Sequence, residues 1–206
     1  MDKNLKRIGA FISIPKNASK TVLDIMALGK NRDIEYTDSL VIYENHQRGS
    51  VLAKKYDLEQ LFVFCFSRNP YDRCISWYNY HRLLEPYKSM LFHDWIKNGL
   101  PHHWIRQNAT NYEREGISPL LQYNFIENCR VDFIGRIENF EEDLNVVIET
   151  LNAICSEQNL DRRFLYGNKR LNTSEKQKEE VWYTDETREI VYTLLKKDFE
   201  YFGYEK

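Results

Sequence analysis

Two short segments combine cations and hydroxyls where an apolar run gives way to a helical pattern. The first is Ile14-Pro15-Lys16-Asn17-Ala18-Ser19-Lys20-Thr21. A turn that opens a helix presents backbone N–H groups and the positive end of the helix dipole, which together attract an anion. Lys16 and Lys20 add charge there, and Ser19 and Thr21 add hydroxyl donors. The plain alternative is a solvated strand-to-helix loop. The second segment is Phe66-Ser67-Arg68-Asn69-Pro70-Tyr71-Asp72-Arg73, with Ser76 one turn further on. An unpaired guanidinium at the end of a buried strand is costly, so Arg68 needs an anion, either Asp72 or a ligand. An Arg with a nearby Ser hydroxyl suits a phosphate, which the planar guanidinium grips with two donors.

The elements that must position these residues follow from hydrophobic periodicity. Ile8–Ile14, Ser39–Tyr43, Leu61–Ser67 and Val131–Gly135 are short apolar runs bounded by charge or turn residues and read as strands. Leu61–Ser67 is apolar on both faces, as a central parallel strand must be. Helical spacing marks Ser19–Leu28, Arg48–Tyr56, Tyr71–Leu84, a piece near Phe92–Asn98, and Glu138–Cys155. A last helix starts after the N-cap Thr184 and runs to about Phe202, with Gly203 beyond its end. Asn159–Lys178 is polar and reads as loop. Strands alternating with helices predict an α/β chain, a P-loop-like three-layer fold with a central, mostly parallel sheet flanked by helices. In such a sheet ligands bind at the carboxyl ends of the strands, where Lys16 and Arg68 fall.

Composition narrows the choice of function. The 206 residues suffice for one well-packed domain, taken here as residues 1–206, and are too few for two comfortable ones. A net charge of −2 argues against a nucleic-acid partner, and the locally clustered cations suit a small anion better than a polyanion. Aromatic residues make up 14%; most belong in the core, and a few could stack on a base or a sugar. No stretch approaches the roughly 18 apolar residues a membrane span needs, so no membrane partner is expected and the cytoplasm is the expected compartment. Cys65, Cys74, Cys129 and Cys155 form no C-x-x-C pair and read as small buried residues in a reducing compartment. Oligomeric state is not readable.

The two turns together resemble the paired signatures of sulfotransferases that use 3′-phosphoadenosine 5′-phosphosulfate (PAPS), specifically the carbohydrate-type sulfotransferase family 2 and its bacterial relatives. Pro15-Lys16-Asn17-Ala18-Ser19 resembles that family's 5′-phosphosulfate loop, and the run from Phe64 to Tyr78 resembles its 3′-phosphate segment. Val131-Asp132-Phe133-Ile134-Gly135-Arg136-Ile137-Glu138-Asn139-Phe140 and Asp198-Phe199-Glu200-Tyr201-Phe202-Gly203-Tyr204 resemble two later family segments. The matches are ordered along nearly the whole chain. The resemblance implies PAPS as co-substrate, released as PAP, with no metal. It implies that Lys16 contacts the bridging oxygen and 5′-phosphosulfate, with Asn17, Ala18, Ser19, Lys20 and Thr21 alongside, and that Arg68 and Ser76 hold the 3′-phosphate. Arg136 is expected to face the same nucleotide. Lys20 departs from the family, which usually has Thr or Ser there; it either adds a second cation or points to solvent.

Sulfuryl transfer resembles phosphoryl transfer in its loose in-line transition state, so positioning and charge neutralisation dominate. Lys16 suits the departing phosphate. The acceptor hydroxyl or amine must lose a proton, and His46, after the Ser39–Tyr43 strand, is the candidate base. In the family's glycan 2-O-sulfotransferase branch a His occupies a comparable place, and the resemblance favours carbohydrate sulfation with a glycan or other small-molecule acceptor. Glu138 is an alternative base, although Glu138, Glu141, Glu142 and Asp143 read most simply as a solvated helix start. His102-His103-Trp104 could line an acceptor site, whereas His81 and His93 read as ordinary helix residues.

Two other readings compete. Ser19-Lys20-Thr21 imitates the end of a P-loop, which suggests a small-molecule kinase using ATP. The two glycines of that motif are Ile14 and Ser19 here, so the close backbone approach to phosphate is lost. A catalytically silent nucleotide-binding protein would keep the anion sites and dispense with His46.

Overall fold

The computed structural model describes residues 6–26, 40–101, 118–166 and 182–206. Among these lie four strands: β1 (Gly9–Ile12), β2 (Val41–Tyr43), β3 (Phe62–Ser67) and β4 (Phe133–Arg136). They form one all-parallel sheet in the order β2-β1-β3-β4. The helices are α1 (Ser19–Ile25), α2 (Gly49–Leu52), α3 (Pro70–His81), α4 (Phe92–Lys97), α5 (Tyr123–Ile126), α6 (Phe140–Glu157) and α7 (Asp185–Phe202). The α/β reading therefore holds, and the sheet is wholly rather than mostly parallel.

The chain divides into two compact units. The first, residues 1–67 and 125–173, contains the sheet. Side chains alternate across the strands. Phe11, Phe64 and Phe66 face one side, in a core with Val22, Leu23 and Ile25 of α1 and Leu144, Val147, Ile148 and Leu151 of α6. On the other side α2 lies so close to Ile12 that a Cβ on Gly49 would fall 2.9 Å from its Cδ1 and 2.5 Å from Cys129 Sγ. Helices thus cover both faces, the three-layer arrangement expected of parallel strands. Gly135 is dictated by the same packing: a Cβ there would meet the Phe66 ring at 2.5 Å.

The second unit, residues 68–124 and 174–206, is helical among its described residues. Its core joins Tyr71, Cys74, Trp77 and Tyr78 of α3, Phe92, Trp95 and Ile96 of α4, and Val191, Leu195 and Phe199 of α7. Asn69 caps α3 by accepting from the Tyr71 amide at 2.8 Å, and Pro70 occupies the first helical position, where its missing N–H costs nothing. Thr184 caps α7 in a capping box with Thr187, and Gly203 ends it at φ 65°.

Several boundaries differ from those read off the sequence, for identifiable reasons. The helix expected over Arg48–Tyr56 keeps α-geometry only from Gly49 to Leu52 and continues as turns. The strand expected at Val131–Gly135 is shifted towards the C-terminus: its register with β3 begins at Phe133, while at Asp132 the N–H donates to the Val63 carbonyl and the carboxylate accepts from the Val63 amide, both at 2.8 Å. A 3-10 turn, Ile137–Asn139, precedes α6. All four cysteines are free thiols, Cys65, Cys74 and Cys155 buried and Cys129 half-buried. No helix among the described residues is long and apolar enough to cross a membrane.

Candidate functional site

β1 lies between β2 and β3, so the chain leaves it in one direction to form β2 and later appears on its other side as β3. This is the topological switch point of the sheet, and in open α/β sheets ligands bind beyond the strand carboxyl ends at such a point. The segment after β1 carries Lys16, and the residue directly after β3 is Arg68.

The turn after β1 is held in an unusual backbone conformation. Lys16 has φ 67° and Ala18 φ 54°, the left-handed region that a Cβ disfavours by about 1 kcal/mol or more per residue. Three side-chain and backbone ties keep it there. The Asn17 amide Nδ2 donates to the Phe66 carbonyl in β3 at 2.6 Å, the Asn17 N–H donates to the Ile14 carbonyl at 3.3 Å, and the Ser19 hydroxyl donates to the same carbonyl at 3.1 Å. Asn17, Ser19 and Thr21 are buried, Lys16 and Ala18 half-buried, and Lys20 exposed. Asn17 thus turns its side chain into the sheet, while Lys16 keeps part of its surface at the mouth of the turn. Strain of this kind persists only when surrounding contacts over-determine it, and it clusters at ligand sites.

His46 is anchored to the same stretch of chain. Its Nδ1 lies 2.8 Å from the Ser13 carbonyl and 3.1 Å from the Ser13 hydroxyl. A carbonyl can only accept, so Nδ1 carries a proton, and in the neutral ring this puts the lone pair on Nε2. That is the tautomer a general base needs. The ring is half-buried and its backbone, at φ 53°, is also left-handed. Ser13 holds His46, while Ile14 holds Asn17 and Ser19, so two consecutive residues fix both the cationic turn and the imidazole. Glu138, in contrast, is exposed on the 3-10 turn after β4.

Arg136 ends β4 in register with Ser67 of β3, the residue before Arg68. Its N–H donates to the Asp143 carboxylate at 2.5 Å, and the Ser67 hydroxyl donates to the Gly135 carbonyl at 3.2 Å. Asp143 is therefore a strap on the end of β4 and not simply part of a solvated helix start; Glu141 and Glu142 are exposed as expected.

Arg68 and Ser76 belong to the second unit, both half-buried, with Ser76 on the half-buried polar side of α3 together with Asp72 and Asn79. The Arg68 peptide is clamped by Gln122, whose Oε1 accepts from the Arg68 N–H at 2.9 Å and whose Nε2 donates to the Arg68 carbonyl at 2.8 Å. Arg73, by contrast, is 1% exposed and points into the unit, donating to the carbonyls of Pro119 (3.0 Å) and Leu120. Burial lowers its pKa to about 10, with Asp198 acting in the opposite direction. His81 is fully buried against Trp77, Trp95 and Tyr87, and His93 lies 2.9 Å from the Trp182 carbonyl. His102, His103 and Trp104 lie outside the described residues.

A family model described as "Sulfotransferase family" matches residues 10–205. The chain belongs to the sulfotransferase family. A protein from Archaeoglobus fulgidus that carries only the description "Uncharacterized protein" is 35% identical over 89 residues, 43% of this chain and 66% of its own length. The match takes in both the turn after β1 and the segment that begins at Arg68.

Three residues were not singled out from sequence and brace the candidate site residues: Ser13, Gln122 and, beneath it, Asp198. Asp198 had a signal, its place in the segment Asp198–Tyr204, and the structure explains it. Its carboxylate accepts from the amides of Gln122 and Tyr123, both at 2.9 Å. Burial raises its pKa, opposed by Arg73, by those two amides and by a hydrogen bond from the Gln122 side chain. Ser13 and Gln122 carried no signal, because each acts through a partner 33 and 54 residues away.

Proposed function

We propose that this protein moves a sulfuryl group from PAPS to a hydroxyl or amine of an acceptor, a carbohydrate or other hydroxylated small molecule, and releases PAP. The observation that carries this reading is the left-handed Lys16–Ala18 turn at the switch point, held by Asn17 and Ser19 with His46 on the adjoining residue. Donors in such a turn suit phosphosulfate oxygens, and the half-buried Lys16 suits the charge that grows on the leaving phosphate.

His46 takes the acceptor proton on Nε2 as the acceptor oxygen or nitrogen bonds to sulfur. The bond between sulfur and the bridging phosphate oxygen breaks with its electron pair going to that oxygen, and Lys16 neutralises it. Ala18, Ser19, Lys20 and Thr21 serve the 5′ end, Arg68 and Ser76 the 3′-phosphate, and Arg136 faces the same nucleotide. Residues 1–206 act as one sulfotransferase domain, in the cytoplasm, without a metal.

The test is a PAPS-dependent transfer assay in EDTA against a panel of sugars, hydroxylated small molecules and amines, with PAP release as the readout. Transfer to at least one acceptor, with stoichiometric PAP, is the expected result. PAP release that is independent of every acceptor and unaffected by Lys16→Ala would contradict it.

A further inference from the structure

Within the second unit, the backbone of Arg68 is not left to an ordinary loop. Gln122 is 0% exposed and its side-chain amide brackets the backbone of Arg68, accepting from the Arg68 N–H and donating to the Arg68 carbonyl, with the Asp198 carboxylate as a further hydrogen-bond partner. This imitates a strand neighbour with a single side chain. Gln122 is itself immobilised from both sides. Arg73 on α3 donates to the carbonyls of Pro119 and Leu120 just before it, and Asp198 on α7 accepts from the amides of Gln122 and Tyr123. Arg73 is three residues ahead of Ser76 on the same helix. A continuous hydrogen-bonded path therefore runs from the Arg68 peptide through Gln122 and the Pro119–Tyr123 turn to Arg73 and so to the helix that presents Ser76.

We propose that Gln122 is the positioning residue that fixes Arg68 relative to Ser76, and that through this clamp it sets the preference for nucleotides bearing a 3′-phosphate. The inference rests on the reading of Arg68 and Ser76 as the 3′-phosphate pair. Gln122 acts on the nucleotide site through the backbone of Arg68; its effect is on where the guanidinium stands.

The experiment is calorimetric titration of the full chain with PAP and with adenosine 5′-monophosphate, which lacks the 3′-phosphate. It compares the unaltered protein, Arg68→Ala, Gln122→Ala and Gln122→Glu, with Tm recorded for each. A charge-assisted phosphate contact is worth about tenfold or more in affinity. The clamp predicts that both Gln122 variants lose about that factor for PAP and nothing for the monophosphate. Combining Gln122→Ala with Arg68→Ala should lose no more than Arg68→Ala alone. Gln122→Glu keeps the shape and one acceptor but sets a carboxylate oxygen against the Arg68 carbonyl, so it carries the readout if the Ala variant unfolds. As a measurement needing no variant, the Arg68 amide should exchange with deuterium as slowly as the amides of α3.

Equal losses for the two nucleotides, undiminished PAP affinity, or fast exchange at Arg68 would overturn the role of Gln122. An unaltered protein that binds both nucleotides equally, or an Arg68→Ala variant that still prefers PAP, would overturn the underlying assignment as well.

Discussion

Lys16 stands at φ 67° in a turn tied down by Asn17 and Ser19, and its half-buried side chain is proposed to neutralise the departing phosphate. Replacing Lys16 by Ala should lower kcat about a hundredfold or more, since one preorganised charge contact in a transition state is worth that much. His46→Ala should cost about the same in kcat while PAP affinity stays put, because the base acts on the acceptor. Steady-state kinetics beside a PAP titration separates the two; a His46→Ala enzyme with full kcat would remove the imidazole from the mechanism. Ala18, at φ 54° and ψ 24°, makes no side-chain cap contact, so Ala18→Gly relieves a left-handed Cβ. It should stabilise the fold by about 0.5–1 kcal/mol, read as a rise in Tm, and a fall would show that the Cβ packs favourably. The placement of Lys16, Arg68 and His46 after strands was legible because strand ends announce themselves in sequence. Gln122, Ser13 and Asp143 were not: a neutral amide, a hydroxyl and one acid among four acquire meaning only from distant backbone partners.

At the scale of elements, the order β2-β1-β3-β4 decides where chemistry can happen. The apolar runs that predicted the strands were readable because a parallel strand covered on both faces needs no polar alternation. The missing precision lay at the ends, where side chains intervene: Asp132 accepts from the Val63 amide just before β4, Asp143 receives its last amide, and Asn69 with Pro70 starts α3. Gly135 shows how tightly β4 is seated. With Phe66 2.5 Å and the Asp143 Cβ 3.1 Å from a hypothetical Cβ, Gly135→Ala must displace an aromatic ring of the core and the strap on Arg136. An overpacking cost of about 1–3 kcal/mol in denaturant unfolding is expected, with a loss of PAP affinity if Arg136 moves. Unchanged stability would mean that Phe66 has room to turn.

For the molecule as a whole, buried thiols impose a pH dependence. Burial raises the pKa of Cys65 and pushes that of Cys74 up to about 12, against about 8.5 for a thiol in an unfolded chain. The folded state therefore holds protons that the unfolded state releases. The stability these thiols contribute is complete below about pH 8.5 and falls as pH rises towards 12, by up to about 1.4 kcal/mol per pH unit for each group. Unfolding midpoints measured between pH 8 and 10 should decline, and Cys74→Ala should flatten the decline; equal slopes would show that the thiol is not responsible.

The family match over residues 10–205 runs through both compact units, so the cations of the first and the Arg68 segment of the second fall within one family pattern. The central claim, that this pattern recognises a nucleotide with phosphates at both its 3′ and 5′ positions by fixed protein cations alone, is tested most directly by titrating PAP into the protein in EDTA. Saturable one-to-one binding, weakened by Lys16→Ala and by Arg68→Ala, is the predicted result. No binding of PAP at high protein concentration, or binding of ATP that appears only when magnesium is restored, would contradict it.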